Sequence, residues 1–336
     1  MLYLLIGLAV FYAFFNAYRD SSSILAGVLA SRAMRPRLAL HLVGVAELVA
    51  PFLVGSAVAR AVTTGLLDVP AITLNTLLTA MAAATLWSLL CWRLGIPSSS
   101  THALIGGLVG AAWITHGFDA ILSTGLLRVL LPLLAAPFVG FLAGFLLMGL
   151  LMLTFSGATP RVNLLFRRSQ IVTAVLLAMS NSANDSQKSA GIITLGLVLA
   201  GKASVFAIPL WALAACAAAM ALGASRGDWR QIRNLGGRIY RIRPLNALAS
   251  QGAATLVVFA ASALGFPVST SHIISTSLMG SGASERLNKI RWHVAAEMAT
   301  AWILTIPATM AVSMGIFLAS AGLRVLGGNV LLLMPK

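Results

Sequence analysis

The sequence predicts an all-α integral membrane protein, an inverted-topology repeat of transmembrane helices in which broken or re-entrant helices carry the functional site. Three observations predict it. Apolar residues make up 59% of the chain and charged residues only 9%, with a mean hydropathy of +0.93, whereas a soluble domain carries about 25% charged residues. Apolar runs of the ~20 residues needed to cross a bilayer recur along the whole chain. Finally, LGIPSSSTH at 94–102 returns as LGFPVSTSH at 264–272, 170 positions later.

The expected membrane segments, in order, are 2–15 continuing to 30, 38–59, 72–92, 129–154, 170–200, 205–224, 247–264 and 294–320. They are read as helices because lipid offers no hydrogen bonds, so the backbone must be satisfied within each segment. An outer-membrane barrel would need alternating strands, and these runs are continuous. The opening MLYLLIGLAV lacks the basic n-region of a cleavable signal and is read as the first span. Regions 94–128 and 264–293 fit either a re-entrant hairpin plus a crossing or one broken crossing.

The halves are 1–165 and 166–336, and their loop charges point in opposite directions. Arg32, Arg35 and Arg37 follow the first span, while the equivalent stretch 200–206 holds only Lys202. After the next span the balance reverses. Loop 60–71 sets Arg60 against Asp68, whereas 224–246 carries Arg226, Arg230, Arg233, Arg238, Arg241 and Arg243. Basic loops stay in the cytoplasm, so the two halves are expected to cross in opposite senses. Arg161, Arg167 and Arg168, and Arg286, Lys289 and Arg291, then also lie inside.

The net charge of +15 is explained by these loops, and no basic platform interleaved with aromatics suggests nucleic acid. Cys91 and Cys216 sit in apolar spans, so neither a disulfide nor a fixed metal site is expected. No cofactor is expected either.

Four polar stretches interrupt the apolar runs: NAYRDSSS at 16–23, PSSSTH at 97–102, NSANDSQK at 181–188 and PVSTSH at 267–272. From Leu94 to Ala112 the chain matches itself at seven of nineteen positions when shifted by 170, and Asn16, Asp20 and Ser21 match Asn181, Asp185 and Ser186 at a shift of 165. Paired interruptions in two halves are a sequence pointer to a transporter site. Proline followed by Ser or Thr starts helices, and helix starts offer free N–H groups and a positive dipole end to an anion. Ser98, Ser99, Ser100 and Thr101, with Ser269, Thr270 and Ser271, are therefore candidate oxyanion ligands. The bland reading makes them caps and interhelical contacts; duplication favours a site.

A carboxylate in a bilayer costs at least ~2.5 kcal/mol, so Asp20 and Asp185 are candidate cation-coupling groups. Asn16, Ser21 and Ser23 join the first, and Asn181, Asn184 and Ser186 the second. Ion pairing of Asp20 with Arg19 and of Asp185 with Lys188 is the structural alternative. Glu47, Gln187, Lys188, His102 and His272 are secondary candidates, and Gln251 a polar linker. Two acids beside an anion repel it strongly in a low dielectric. A bound H⁺ or Na⁺ removes that repulsion, which couples the two ions.

In these motifs the chain resembles the inorganic phosphate transporter (PiT) family, over essentially its full length. The motifs are NSANDSQKSAGIITLGL (181–197), PSSSTHALIGGLVGA (97–111), PVSTSHIISTSLMGSG (267–282), GGRIYRIRP (236–244) and AWILTIP (301–307). The resemblance implies uptake of inorganic phosphate driven by H⁺ or Na⁺, through an inverted-repeat fold in the cytoplasmic membrane, as a homodimer. Bacterial low-affinity members can carry phosphate as a neutral complex with a divalent metal, and some relatives move sulfate. The first half departs from the pattern: Arg19 replaces His or Asn, Ser23 replaces Asn, and in the second copy Ser182 replaces Gly. The guanidinium of Arg19 either neutralises Asp20 or binds phosphate directly. An intramembrane hydrolase is the rival from another class, but it needs one asymmetric nucleophile–base pair, and here the Ser/His motif is duplicated.

Overall fold

In the computed structural model, residues 1–53, 55–229, 232, 240 and 242–332 are described. They are helical apart from connecting loops and one isolated β-bridge between Leu67 and Ile121. The helices are α1 (Leu2–Ala30), α2 (Pro36–Val49), α3 (Ala57–Val62), α4 (Leu74–Leu94), α5 (Ser100–His116), α6 (Ser123–Thr154), α7 (Val162–Leu199), α8 (Leu210–Arg226), α9 (Pro244–Ala263), α10 (Thr270–Glu285) and α11 (Trp292–Leu332). Among the described residues, seven are long and apolar enough to cross a membrane: α1, α2 with the 3-10 turn that follows it, α4, α6, α7, α9 and α11. The chain is a multi-pass membrane protein.

Several boundaries depart from the hydropathy runs for local reasons. The expected 38–59 segment ends in a 3-10 turn at Leu53, after Pro51. Helix α7 begins eight residues before the expected 170, because Asn163–Ser169 carries polar residues among apolar ones but contains no helix breaker. The stretches 16–23 and 181–188 interrupt hydrophobicity without interrupting the helix: α1 and α7 run straight through them. Only 97–102 and 267–272 fall at true breaks. Of the second basic loop, Arg230, Arg233, Arg238 and Arg241 lie outside the described residues, as does most of the 236–244 motif.

The two true breaks are built alike. Helix α4 closes on Gly95 in the left-handed region (φ 71°), and Gly265 follows α9 with φ 75°; that conformation costs a side-chain-bearing residue free energy. Pro97 and Pro267 follow two residues later. Ser99 and Ser269 then stand extended at the N-caps of α5 and α10. The Ser99 hydroxyl accepts from the His102 N–H at 3.2 Å, a standard cap. Both helices are buried nearly all round, as the protein-facing part of a membrane bundle must be when it starts at a break.

Packing repeats between the halves. Helix α1 packs on α8 and α7 on α2; α4 packs on α5 and α9 on α10; α5 packs on α11 and α10 on α6; α1 also meets α4, as α7 meets α9. Helices α1 and α7 touch each other and form the centre. Without a hydrophobic driving force between helices in lipid, close approach depends on small residues. A Cβ at Gly110 of α5 would lie 2.6 Å from the Met310 carbonyl of α11, and one at Gly280 of α10 would collide with the Phe141 carbonyl of α6. These two glycines occupy the same position of the duplicated motif. The clash at Gly280 is with backbone, so Gly280→Ala is expected to destabilise the fold by about 2 kcal/mol, within the usual range for overpacking. Thermal unfolding in detergent checks this.

Candidate functional site

The polar residues of α1 and α7 share one helix face each: Tyr12, Asn16 and Asp20 recur every four residues, as do Asn181, Asp185 and the interleaved Asn184 and Lys188 at helical spacing. The faces meet at the molecule's centre. Asn16, Arg19, Asp20, Asn181, Asn184, Asp185 and Lys188 are all buried, none above 7% exposed. The carboxyl of Asp20 is in hydrogen-bonding contact with that of Asp185, and Arg19 and Lys188 supply the opposite charges acting on it. The two acids, 165 positions apart in sequence, form one centre.

The two breaks converge on this centre. Thr101, in the first turn of α5, donates its hydroxyl to the Val268 carbonyl before α10 at 2.9 Å. Lys188 reaches both breaks: Nζ donates to Thr101 Oγ1 at 2.6 Å and to the Val268 carbonyl at 3.2 Å, while pairing with Asp185 at 2.5 Å. Arg19 donates to the Ser98 carbonyl at 2.7 Å and to Ser98 Oγ at 3.3 Å. Asn184 Nδ2 holds the second break from behind, donating to Ser262 Oγ at 3.0 Å and the Phe266 carbonyl at 3.3 Å. Two helix N-termini, two fixed cations and a set of hydroxyls thus gather around a carboxyl pair. Such an arrangement favours an anion.

Buried acceptor oxygens without a hydrogen-bond partner lie in the same cluster: Asn16 Oδ1, Asn181 Oδ1, Asn184 Oδ1 and Glu47 Oε2. Buried polar groups are normally paired, and hard cations take oxygen ligands of this kind. Glu47, fully buried on α2, accepts from Asn181 Nδ2 at 3.0 Å, and its backbone carbonyl accepts from Ser182 Oγ at 2.6 Å. It lies within electrostatic reach of both Asp20 and Asp185.

Other sequence candidates are placed elsewhere or engaged locally. Ser21 donates to the Tyr18 carbonyl at 2.9 Å and faces Gly227, away from Asp185. Ser186 donates to its own helix at the Ser182 carbonyl. Gln187 lies on the far side of α7, where Oε1 accepts from the Val58 and Ala59 N–H groups and so caps α3; this satisfies free donors of that helix. Gln251 ties α9 to the Ile24 carbonyl, one turn beyond Asp20 on α1, and to Thr173. Ser99 is occupied as a cap, Ser100 and Ser23 are half-buried, Ser269 and Ser271 face each other at 3.3 Å, and Thr270 Oγ1 is buried without a partner. His102 and His272 lie with tilted rings 4.7 Å apart, and His272 stacks on the Trp302 ring at 3.9 Å, one helical turn or less inside the two breaks.

One residue was missed. Tyr12 is fully buried and donates to the Ser100 carbonyl at 2.6 Å, bracing the first break against α1. Its position four residues before Asn16 was the available signal.

A profile of the phosphate transporter family matches residues 16–313. The chain is 37% identical over 303 residues to a probable low-affinity inorganic phosphate transporter of Bacillus subtilis (strain 168), covering 89% of this chain and 91% of the relative. A protein of the same description from Rhizobium meliloti (strain 1021) is 35% identical over 311 residues, covering 92% and 93%. Among solved structures, a sodium-dependent phosphate transporter superposes with a TM-score of 0.88 over 95% of this chain and 98% of its own, at 20% identity. That likeness establishes the shared helical fold.

The Glu47–Asn181 bond gives a test of the site's construction. Asn181→Leu leaves a buried carboxyl without its donor, and is expected to cost about 1–3 kcal/mol. Glu47→Gln, which keeps a hydrogen-bonding group, is expected to cost less; denaturation in detergent compares them.

Proposed function

The chain belongs to the phosphate transporter family, and from that premise we propose that it imports inorganic phosphate across the cytoplasmic membrane as a cation-coupled symporter, with H⁺ or Na⁺ as the driving ion. Members of the family are transporters rather than enzymes. The observation that carries the finer reading is the interaction of Asp20 with Asp185, which Lys188 ties to both converging helix starts.

The physics of coupling follows from that placement. Ser98, Ser99, Ser100, Thr101, Ser269, Thr270 and Ser271 supply hydroxyl and backbone donors for phosphate oxygens, and Arg19 and Lys188 supply positive charge. Two carboxylates in contact repel each other and any nearby anion. A proton or a small cation held between them, by the unpartnered oxygens of Asn16, Asn181 and Asn184, removes the repulsion and admits phosphate. Hydrogen phosphate also offers a carboxylate a proton that sulfate lacks, which favours phosphate over sulfate at this site.

Alternating access is the expected mode of transport. Its support is the paired packing of the halves, in which α1–α8 answers α7–α2 and α5–α11 answers α10–α6. Opposed loop charges make that pairing an inverted repeat. The buried site corresponds to a closed state, and rearrangement of one half against the other would open it to either side.

Labelled phosphate uptake into proteoliposomes, with pH and Na⁺ gradients imposed separately and sulfate as competitor, tests the reading. Saturable uptake accelerated by one gradient and weakly inhibited by sulfate is expected. Asp20→Asn and Asp185→Asn are each expected to lower the rate about tenfold or more, the scale of a lost charge-assisted interaction. Uptake indifferent to both gradients, or unchanged in both variants, would refute symport.

A further inference from the structure

Lys188 has a saturated environment. A lysine ammonium carries three N–H donors and no acceptor. Lys188 meets three oxygens, the Asp185 carboxylate, the Thr101 hydroxyl and the Val268 carbonyl, at 2.5, 2.6 and 3.2 Å. A carboxylate, a hydroxyl and a backbone carbonyl are also the oxygen types that surround a small hard cation. The side chain is 3% exposed, so the ammonium is the cation of an enclosed oxygen cage.

The first half holds a fixed cation against the equivalent point. Ser98 and Val268 occupy the same position of the duplicated break, 170 residues apart. Arg19 donates to the Ser98 carbonyl and Lys188 to the Val268 carbonyl. Yet the two basic residues are not themselves repeat-related. At the shift of 165 that aligns Asp20 with Asp185, Lys188 aligns with Ser23 and Arg19 with Asn184. Two different side chains, from different positions of their helices, bring positive charge to the same place in each half. That coincidence of place without coincidence of sequence marks the loop carbonyl as a cation position. With both filled, two fixed cations stand against Asp20 and Asp185, and a proton on the third buried acid of the cluster, Glu47, then completes neutrality without a metal ion.

We propose that the Lys188 ammonium is a tethered cation occupying a cage that would otherwise take Na⁺, with Arg19 its counterpart in the first half, and that phosphate transport by this chain is consequently independent of Na⁺. This rests on the symport reading above and narrows its coupling ion. Lys188 is then a specificity-determining residue. Its replacement by a short neutral side chain leaves Asp185, Thr101 and the Val268 carbonyl as an empty oxygen cage of the right composition for Na⁺.

The full chain in proteoliposomes, assayed for labelled phosphate uptake at fixed pH with Na⁺ or choline as the only monovalent cation, tests the first part. The unfolding midpoint in sodium chloride against choline chloride tests the second without reference to transport. The unmodified protein is expected to transport equally in both media and to show no Na⁺-specific shift. Lys188→Ala is expected to lose about tenfold or more of its uptake in choline, to regain part of it in Na⁺, and to be stabilised by Na⁺ specifically. Lys188→Gln removes the charge with a side chain one atom shorter that retains two N–H donors, and serves the same comparison if the alanine variant does not fold. The proposal is overturned if the unmodified protein needs Na⁺ for uptake or is stabilised by it, or if the folded variants show no Na⁺-specific response. Absence of phosphate uptake under every gradient would instead sink the symport reading, and the Na⁺-specific stabilisation of the variants would still decide the cage.

Discussion

The structure depends on keeping Arg19, Asp20, Asp185 and Lys188 compensated inside a membrane protein. An unpaired charge in such a place is costly whichever scale is used, and an ion pair away from water repays its desolvation only when its remaining donors and acceptors are also met. The surrounding architecture meets most of that demand, leaving Arg19 Nε and Glu47 Oε2 without a partner. Lys188 is met by a carboxylate, a hydroxyl and a carbonyl, Arg19 by the Ser98 carbonyl and hydroxyl, and Glu47 by Asn181. Buried oxygens of Asn16, Asn181 and Asn184 are also left over.

Those partners come from breaks rather than from helix surfaces. A membrane helix satisfies its own backbone, so its carbonyls and N–H groups are unavailable to a ligand. Where α4 yields to α5, and α9 to α10, backbone groups become free, and Lys188 links both breaks to Asp185. Bringing them there requires α5 and α10 to lie deep in the bundle, against α11 and α6 respectively. Glycine at 110 and 280 permits the necessary backbone approach. Packing of small residues and chemistry of the centre are therefore one problem.

Much of this was legible in the chain. Continuous hydrophobic runs identify helices because lipid leaves the backbone no alternative, and their ends differ from the structure where polar residues remain helical, as within Asn163–Ser169, or where proline stops a run, as at Pro51. The duplication of Asp20 and Asp185 marked a pair worth the cost of burial. Less legible was which polar residues face the pair. Ser21 and Ser186 follow their aspartates in sequence, yet one residue's advance rotates a side chain by about 100° around a helix, which turns them to local carbonyls. Gln187 is turned in the same way to cap α3. Tyr12, without a polar neighbour in sequence, escaped notice although it lies on the right face.

By itself the sequence determined the helical class, the two breaks and the residues that had to find partners, because hydrophobicity, proline–glycine chemistry and the cost of a buried charge are local properties. It did not determine the partners. That Lys188 of α7 reaches Thr101 and Val268, that Arg19 closes on Ser98, and that the two aspartates touch are matters of how distant helices cross. They are settled by contacts between residues 79 to 167 positions apart, which no periodicity along a single helix encodes.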